Sequence, residues 1–268
     1  MVSTKALLIF FGIIFFSVQL KAQNLKLIRT MPVKDCIHVA IDHHHNLYTV
    51  SVKGEIRKWD REGNAREYNN SISLGKLGEL DVEDPLKLLA FYPDYNTILI
   101  LDNRISEQRR LDLTSSGLFQ IPGICHSFDD HIWVYDPNDL KLKKLNMSLE
   151  TISNSPDLSL VLGYSPEISK IKEHTNKLYL LERDKGVLIF DTYAQFDKQI
   201  PFKKIEDIAV YQDLLYYYKE GICMYHLKKF EEIKLTKGPI DDFLQLSVKS
   251  DRLAVLRKNQ LDLYEIQF

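Results

Sequence analysis

The sequence predicts an all-β fold, a six-bladed β-propeller built of four-stranded antiparallel blades. Three observations predict it: short apolar stretches separated by Asp, Asn and Gly, the repetition of these stretches along the whole chain, and an additional strand at its start. The chain has 268 residues, of which 45% are hydrophobic and 27% are charged, as is ordinary for globular proteins. Its net charge of -2 gives no reason to expect a nucleic acid as partner.

The first repeat unit sets the pattern, with strands expected at 37–42, 47–50, 54–60 and 65–68. Its second strand is the clearest marker and recurs in every unit. The six copies begin at Leu47, Ile98, Ile132, Leu178, Leu215 and Leu253. They lie 34 to 51 residues apart. The mean of about 41 residues per unit agrees with the roughly 40 to 50 residues of four-stranded propeller blades.

Several of these strands are apolar at every position, as at 98–101 and 187–190. A strand with one face in water would alternate apolar and polar residues, so these strands are expected to be buried on both faces. Stacking of one blade against the next provides that burial.

The two ends of the chain predict how the ring closes. The last unit has only three strands, at 243–248, 252–256 and 260–266, whereas a strand at 25–29 precedes the first unit. Placing this N-terminal strand at the outer edge of the sixth blade gives four strands to every blade and leaves no unpaired seam. We therefore expect one domain, residues 23–268.

A family resemblance rests on the first unit. Ala40-Ile41-Asp42 leads through Asn46 to Leu47-Tyr48-Thr49-Val50, and Gly54 to Asp60 and Gly63 follow. This stretch resembles the blade consensus of NHL-type and related six-bladed β-propellers, and the pattern extends over residues 24–268. The resemblance implies the fold and not an activity, since six-bladed relatives include calcium-dependent lactonase-like hydrolases and lyases.

Residues 1–22 have the features of a secretory signal peptide. Lys5 precedes an apolar run from Ala6 to Val18, and the small residue Ala22 stands before the expected cleavage point. The apolar run is shorter than the about 20 residues needed to span a bilayer. An uncleaved N-terminal anchor is the alternative. We expect an exported protein, periplasmic or extracellular, with no transmembrane span after cleavage.

Three cysteines, Cys36, Cys125 and Cys223, are an odd number for a chain sent to an oxidising compartment. At least one thiol therefore stays unpaired within the monomer. Their neighbours are apolar, which favours buried thiols that act as small hydrophobic side chains.

Acidic residues recur just before the expected innermost strand of most units. They are Asp35, Asp84, Glu167, Asp207 and Asp242. The connections that carry them open on one face of the ring, so the sequence predicts an acidic rim that attracts cations or a basic partner. Hydrated turn residues that cap strands are the alternative.

The two longest insertions, 69–85 and 148–166, are expected on the same face. Loops on a rigid scaffold are where binding residues concentrate. We therefore predict that Leu158, Leu160 and Val161 form a partner-docking loop. A loop tucked over its own core is the alternative.

His43-His44-His45 is the most conspicuous polar cluster. A turn could bring His43 and His45 to one metal ion, provided that a neighbouring blade supplies a carboxylate or thiolate. A hydrated hairpin tip is the alternative. The sequence has no Gly-x-Ser-x-Gly, phosphate-binding glycine loop, His-Glu-x-x-His or calcium-loop motif, so we predict no catalytic residue and no cofactor.

Together these observations favour an exported, non-catalytic binding or scaffold protein, an accessory component of a cell-envelope or outer-membrane-associated complex. Its expected partner is a protein of the envelope, and we expect a monomer outside that complex. The alternative is a metal-dependent, calcium-type propeller hydrolase or lyase acting on a small lactone or sugar-derived substrate. Such an enzyme would assemble its site from single residues of several blades, with a divalent cation among them.

Overall fold

The computed structural model describes residues 24–68 and 74–267 and shows a six-bladed β-propeller. Each blade is an antiparallel sheet of four strands, so the predicted fold class is confirmed. The predicted signal peptide, residues 1–22, lies outside the described residues. Within the described ranges, no helix combines the length and apolar character that crossing a membrane requires.

The chain begins with β1 (Asn24–Pro32), and each later group of strands runs from the channel outward. Blade 1 contains β2 (Cys36–Ile41), β3 (Leu47–Ser51), β4 (Ile56–Trp59) and β5 (Ala65–Tyr68). Blade 2 contains β6 (Glu79–Asp81), β7 (Leu88–Tyr92), β8 (Thr97–Leu101) and β9 (Glu107–Asp112). Blade 3 contains β10 (Ile124–His126), β11 (Ile132–Asp136), β12 (Lys141–Leu145) and β13 (Thr151–Asn154).

The second half of the ring has the same order. Blade 4 contains β14 (Lys170–His174), β15 (Lys177–Glu182), β16 (Gly186–Asp191) and β17 (Phe196–Ile200). Blade 5 contains β18 (Asp207–Tyr211), β19 (Leu214–Tyr218), β20 (Ile222–His226) and β21 (Glu231–Lys234). Blade 6 contains β22 (Phe243–Lys249), β23 (Arg252–Arg257) and β24 (Gln260–Gln267). Within residues 24–68 and 74–267, the helices are α1 (Leu158–Leu162) and two 3-10 turns, Pro93–Tyr95 and Leu113–Ser116.

Strand β1 completes blade 6 and closes the ring. It pairs antiparallel with β24, so that Lys26 lies opposite Glu265 and Thr30 lies opposite Asp262. The Thr30 hydroxyl donates a hydrogen bond of 2.7 Å to Asp262. The predicted closure by the N-terminal strand is therefore confirmed.

Blade 2 differs from the sequence prediction by one strand. The stretch at 98–101, expected to be a second strand, belongs to β8, the third strand. The reason is that the innermost strand β6 has only three residues, two of them acidic, whereas the apolar and fully buried β7 has the composition expected of an inner strand. The second strands of the first three blades begin at residues 47, 88 and 132, a more even spacing than the predicted one.

The hydrophobic core is divided among the six seams between neighbouring blades. Between blades 1 and 2, for example, Tyr48 and Val50 pack with Leu88 and Tyr92. Packing on both sides of each sheet explains why several strands are apolar throughout. The closing seam between blades 6 and 1 is the smallest cluster among the described residues.

A five-residue turn recurs around the ring and gives the sequence its repeat signature. An Asp or Asn lies at the end of a strand or directly after it, and its side chain accepts hydrogen bonds from the backbone N–H groups two and four residues later. Such turns are 42–46, 102–106, 146–150 and 191–195. The fourth residue has a positive φ, for example 62° at His45. The three consecutive histidines are thus the middle of one such turn.

Candidate functional site

The ring has two faces that differ in their connections. We call the top face the set of turns that lead from one blade into the next, at 33–35, 74–78, 113–123, 155–169, 201–206 and 235–242. We call the bottom face the set of turns between the innermost and second strands, at 42–46, 82–87, 127–131, 175–176, 212–213 and 250–251. The channel joins the two faces.

Three of the five predicted rim residues, Asp35, Glu167 and Asp242, are exposed on the top face. Exposed lysines lie on the same face, among them Lys34 and Lys237. The top face therefore carries charges of both signs, and a purely acidic rim is not what the fold produces. Whether these three carboxylates bind a partner stays a prediction.

The other two predicted rim residues lie elsewhere. Asp207 is the first residue of β18 and is 6% exposed, because it pairs with Lys170 inside the channel. Asp84 lies on the bottom face, since the innermost strand of blade 2 ends at Asp81, before it. Asp84 was predicted on the top face because the stretch at 98–101 was assigned to the second strand of blade 2, whereas it belongs to the third.

The predicted docking loop divides into an anchor and an exposed edge. Leu158 is fully buried in the core cluster between blades 3 and 4, which corrects the expectation that it is exposed. Leu160 is 83% exposed and Val161 is 39% exposed. Both lie on α1, whose first turn is capped by the Asp157 carboxylate, which accepts a hydrogen bond of 2.7 Å from the Ser159 N–H. The helix thus holds an apolar edge outward on the top face.

The channel is lined by paired charges, two lysines against three carboxylates. The Lys170 ammonium lies 2.6 Å from Asp207. The Lys172 ammonium lies 2.8 Å from Glu79 and 3.5 Å from Asp81. Glu79, Asp81, Lys170 and Lys172 line a cavity of about 70 Å³, which is roughly the space of two or three water molecules.

Side chains also satisfy the free edges of the innermost strands. Asp207 accepts a hydrogen bond of 2.8 Å from the Leu246 N–H of blade 6. Gln245 in turn accepts one of 2.7 Å from the Val39 N–H of blade 1. Inner-edge N–H groups have no strand partner, so these side chains close the channel as well as pairing charge.

The titration of the channel groups follows from this pairing. Burial alone would raise the pKa of Asp81, but Lys172 and His126 outweigh it and lower that pKa. Burial alone would lower the pKa of Lys172, but Glu79 and Asp81 raise it above its ordinary value. Asp81 and Lys172 therefore stay charged at neutral pH, and Lys172 is no candidate for a general base.

Sequence reasoning missed this channel set, Glu79, Asp81, Lys170 and Lys172. A signal for part of it exists, because Lys170-Ile171-Lys172 places a charged residue at every second position of an innermost strand. Alternate residues share one face of a strand.

Seven of the eight histidines lie at the bottom face or at strand ends that reach it. They are His43, His44, His45, His126, His131, His174 and His226. The two predicted metal candidates are separated there. His43 lines a groove with Asp84, His126 and Asp130, whereas His45 lies 3.8 Å from Asp251 on the other side of blade 1.

In the part of the chain that the structure describes, Asp84, His126 and Asp130, from blades 2 and 3, are placed closely enough to hold a metal. One potential ligand atom of each lies within 4.8 Å of the others. Of the predicted pair, only His43 shares their groove.

The three cysteines are unpaired, and their surroundings suppress reactivity. Cys125 and Cys223 are buried, and Cys36 is partly buried. Burial raises the pKa of all three thiols. A raised pKa keeps a thiol protonated and a poor nucleophile.

Comparisons with known proteins establish the fold. The sequence matches no protein-family profile and no curated protein. A streptogramin B lyase is similar in structure, with a TM-score of 0.66, 11% identity, and coverage of 91% of this chain and 97% of that one. The β-propeller domain of Cps50 (Swd1) from Myceliophteria thermophila has a TM-score of 0.67 at 11% identity, covering 91% and 100% of the two chains.

The WD40 domain of Pan2 from Neurospora crassa has a TM-score of 0.64 at 10% identity, covering 91% of this chain and 96% of that one. Similarity at such low identity shows the fold and carries no activity with it. The predicted resemblance to six-bladed β-propellers is confirmed at this level. The chain has a propeller fold that occurs both in a lyase and in a WD40 domain.

Proposed function

We propose that this protein is an exported, non-catalytic binding or scaffold protein whose partner is another protein of the cell envelope. The observation that carries the proposal is the contrast within α1: Leu158 is fully buried and anchors the helix, while Leu160 is 83% exposed on the top face. Burying such an exposed apolar side chain against a protein partner is favourable, and an ordered helix presents it with little further loss of conformational freedom.

The chemistry of the helix edge describes the partner. Leu160 and Val161 would enter an apolar pocket, and the exposed carboxylates of Glu167 and Asp242 on the same face would meet basic groups at its border. Export of the protein rests on the signal-like residues 1–22. These two features together support the proposed accessory role in an envelope complex.

The state of the channel supports a non-catalytic role. A propeller enzyme with a calcium-type centre needs carboxylates that are free to bind the ion, whereas Asp207 is paired with Lys170, and Glu79 and Asp81 share Lys172. The small cavity leaves little space for a lactone or a sugar-derived substrate. The hydrolase or lyase alternative would require these lysines to be displaced.

The experiment compares capture of envelope proteins by the wild-type protein and by two matched variants. Leu160→Asp changes the top face, and Leu86→Asp changes a side chain that is 68% exposed on the bottom face. We expect recovery of the partner, identified by mass spectrometry and verified by reciprocal capture, to fall at least tenfold with Leu160→Asp and to be unchanged with Leu86→Asp. Equal recovery with both variants would contradict the proposal.

A third variant tests the carboxylates separately. Neutralising Asp35, Glu167 and Asp242 together leaves the helix edge intact and removes three exposed acids of the top face, where Glu206 and Asp241 remain. We expect weaker capture with a smaller dependence on salt, because exposed charge pairs are screened by ions.

A further inference from the structure

The bottom face carries a groove of about 520 Å³ between the turns of blades 1, 2 and 3. Asp84 and Lys87 come from blade 2, and His126 and Asp130 come from blade 3. Leu160, on which the proposed function rests, lies on the other face, so what this groove binds is a separate question.

Two observations on His126 point to a ligand. Its side chain is only 6% exposed, yet its Nδ1 has no hydrogen-bond partner. Its Nε2 lies 3.7 Å from Asp130 Oδ1, which is beyond hydrogen-bond range. Buried polar nitrogen atoms are nearly always paired, and this imidazole is an exception on the wall of an open groove.

The surrounding carboxylates have the chemistry and spacing of metal ligands. Potential ligand atoms of Asp84, His126 and Asp130 all lie within 4.8 Å of one another. Two ligands that share a zinc ion at about 2.0 to 2.2 Å lie roughly 3 to 3.5 Å apart in a tetrahedral site. Small side-chain rotations therefore suffice to bring the three groups to one ion.

The other contacts of these groups leave ligand atoms available. Asp84 Oδ1 accepts a hydrogen bond of 2.9 Å from the Leu86 N–H, so Oδ2 remains for an ion. Asp130 Oδ2 lies 2.5 Å from the Lys87 ammonium, so Oδ1, which faces His126, remains. A hydrogen-bonded outer oxygen is usual for a carboxylate that binds a metal with its other oxygen.

The charge of the groove also favours a cation. Glu83 is paired with Lys249 at 2.6 Å, and Asp130 is paired with Lys87. Asp84 has no ion pair with a cation in the described ranges 24–68 and 74–267. One negative charge thus remains uncompensated beside the buried imidazole.

We propose that Asp84, His126 and Asp130 bind a divalent transition metal of the zinc class and thereby link the bottom turns of blades 2 and 3. One imidazole nitrogen and two carboxylate oxygens suit zinc better than calcium, which takes oxygen ligands. Water completes the coordination in an open groove. The backbone N–H of His126 is itself held by Asp81, at 3.4 Å, so the ligand strand is tied to the channel pairs.

The test measures binding of Zn²⁺ and Co²⁺ to the untagged chain by isothermal titration calorimetry, with Co²⁺ absorption as a spectroscopic readout. We expect one ion per chain, and at least a tenfold weaker affinity in Asp84→Asn and in His126→Gln. The control is the double variant His44→Ala/His45→Ala, which removes two histidines of the same face outside the groove and should bind like the wild type.

A thermal shift guards against loss of folding in the variants. Zn²⁺ should raise the Tm of the wild type and of the control by similar amounts, and should raise the Tm of Asp84→Asn less at the same Zn²⁺ concentration, since stabilisation of the folded state depends on the ligand's affinity. Asp84 is only partly buried, so its asparagine variant is expected to fold. Binding that survives Asp84→Asn and His126→Gln, or that disappears only in the control, would overturn the proposal, as would absence of binding at 100-fold excess of either ion.

Discussion

The indole Nε1 of Trp133 donates a hydrogen bond of 2.7 Å to the carboxylate of Glu173 across the seam between blades 3 and 4. The same carboxylate accepts hydrogen bonds from the Ser127 hydroxyl at 2.9 Å and from the Phe128 N–H at 3.1 Å. One side chain of blade 4 therefore fixes both a fully buried tryptophan and the bottom turn of blade 3.

Removing this carboxylate should destabilise the fold. Glu173→Ala leaves the buried Trp133 N–H without an acceptor, so we expect the free energy of unfolding in urea to fall by about 1 to 3 kcal/mol. The exposed Glu167→Ala is the control and should change it by less than about 0.5 kcal/mol. Equal effects of the two substitutions would show that Glu173 holds nothing at this seam.

The channel pair of Lys170 and Asp207 gives a second prediction. Both side chains are 8% exposed, so Asp207→Asn leaves an unpaired ammonium in a buried place and should cost about 3 to 5 kcal/mol of unfolding free energy. The double variant Lys170→Met/Asp207→Asn removes that charge while keeping an oxygen for the Leu246 N–H. It should be more stable than Asp207→Asn alone in denaturant titrations, and the opposite order would count against a buried ion pair.

His38 makes stability depend on pH. Its Nε2 donates to the Leu77 carbonyl at 2.7 Å, and its buried Nδ1 has no partner. Burial, partly opposed by Glu79, lowers the pKa of His38 below the ordinary value of 6.5. Near pH 6.5 His38 therefore binds a proton in the unfolded chain but not in the folded one. Its contribution to the free energy of unfolding is complete above pH 6.5 and is lost as the pH falls towards the pKa of the folded state.

The check is the Tm of the wild type and of His38→Gln between pH 7.5 and 5. The Tm of the wild type should fall more on acidification, because the variant lacks the imidazole of His38. Other histidines with lowered pKa values, such as His45 and His174, contribute equally to both proteins. Parallel curves for the two proteins would rule out His38 as a source of the effect.

Closure of the ring predicts a specific cross-link. Lys26 and Glu265 are opposite each other in β1 and β24, with the charged groups 3.7 Å apart. In a Cys36→Ser background, the pair Lys26→Cys/Glu265→Cys should form an intramolecular disulfide that mass spectrometry detects and that raises the Tm. The pair Lys26→Cys/Gln260→Cys, at the far end of β24, should not. Cross-linking in both pairs or in neither would contradict the register.

Much of the architecture could be predicted because it depends on local chemistry that repeats. The turn that begins at Asp42 is recognisable in the sequence as an Asp followed by Asn46 and an apolar-aromatic strand. The same hydrogen bonds recur at Asp102 and Asp191. The three-strand final unit and the additional strand predicted at 25–29, which is part of β1, likewise predicted the closure of the ring. The repeated turn and the number of strands at each end of the chain can both be recognised from short stretches of sequence.

The candidate site was less predictable because its residues come from different blades and are brought together only when the ring forms. Lys172 of blade 4 contacts Glu79 of blade 2, 93 positions away in sequence. Leu158 and Leu160 are the same residue type two positions apart, and only the turn of α1 decides that one is buried and the other exposed. In blade 2, the acidic residues of β6 prevented its recognition as the innermost strand, so Asp84 was predicted on the top face and lies on the bottom face.

The central functional claim is that the edge of α1 contacts a protein partner. The most direct measurement is photo-cross-linking in cells, with a benzophenone amino acid at position 160 and, as a control, at position 86 on the bottom face. We predict a discrete cross-linked species with one envelope protein from position 160 and none from position 86. No adduct at position 160, or the same adducts at both positions, would contradict the claim.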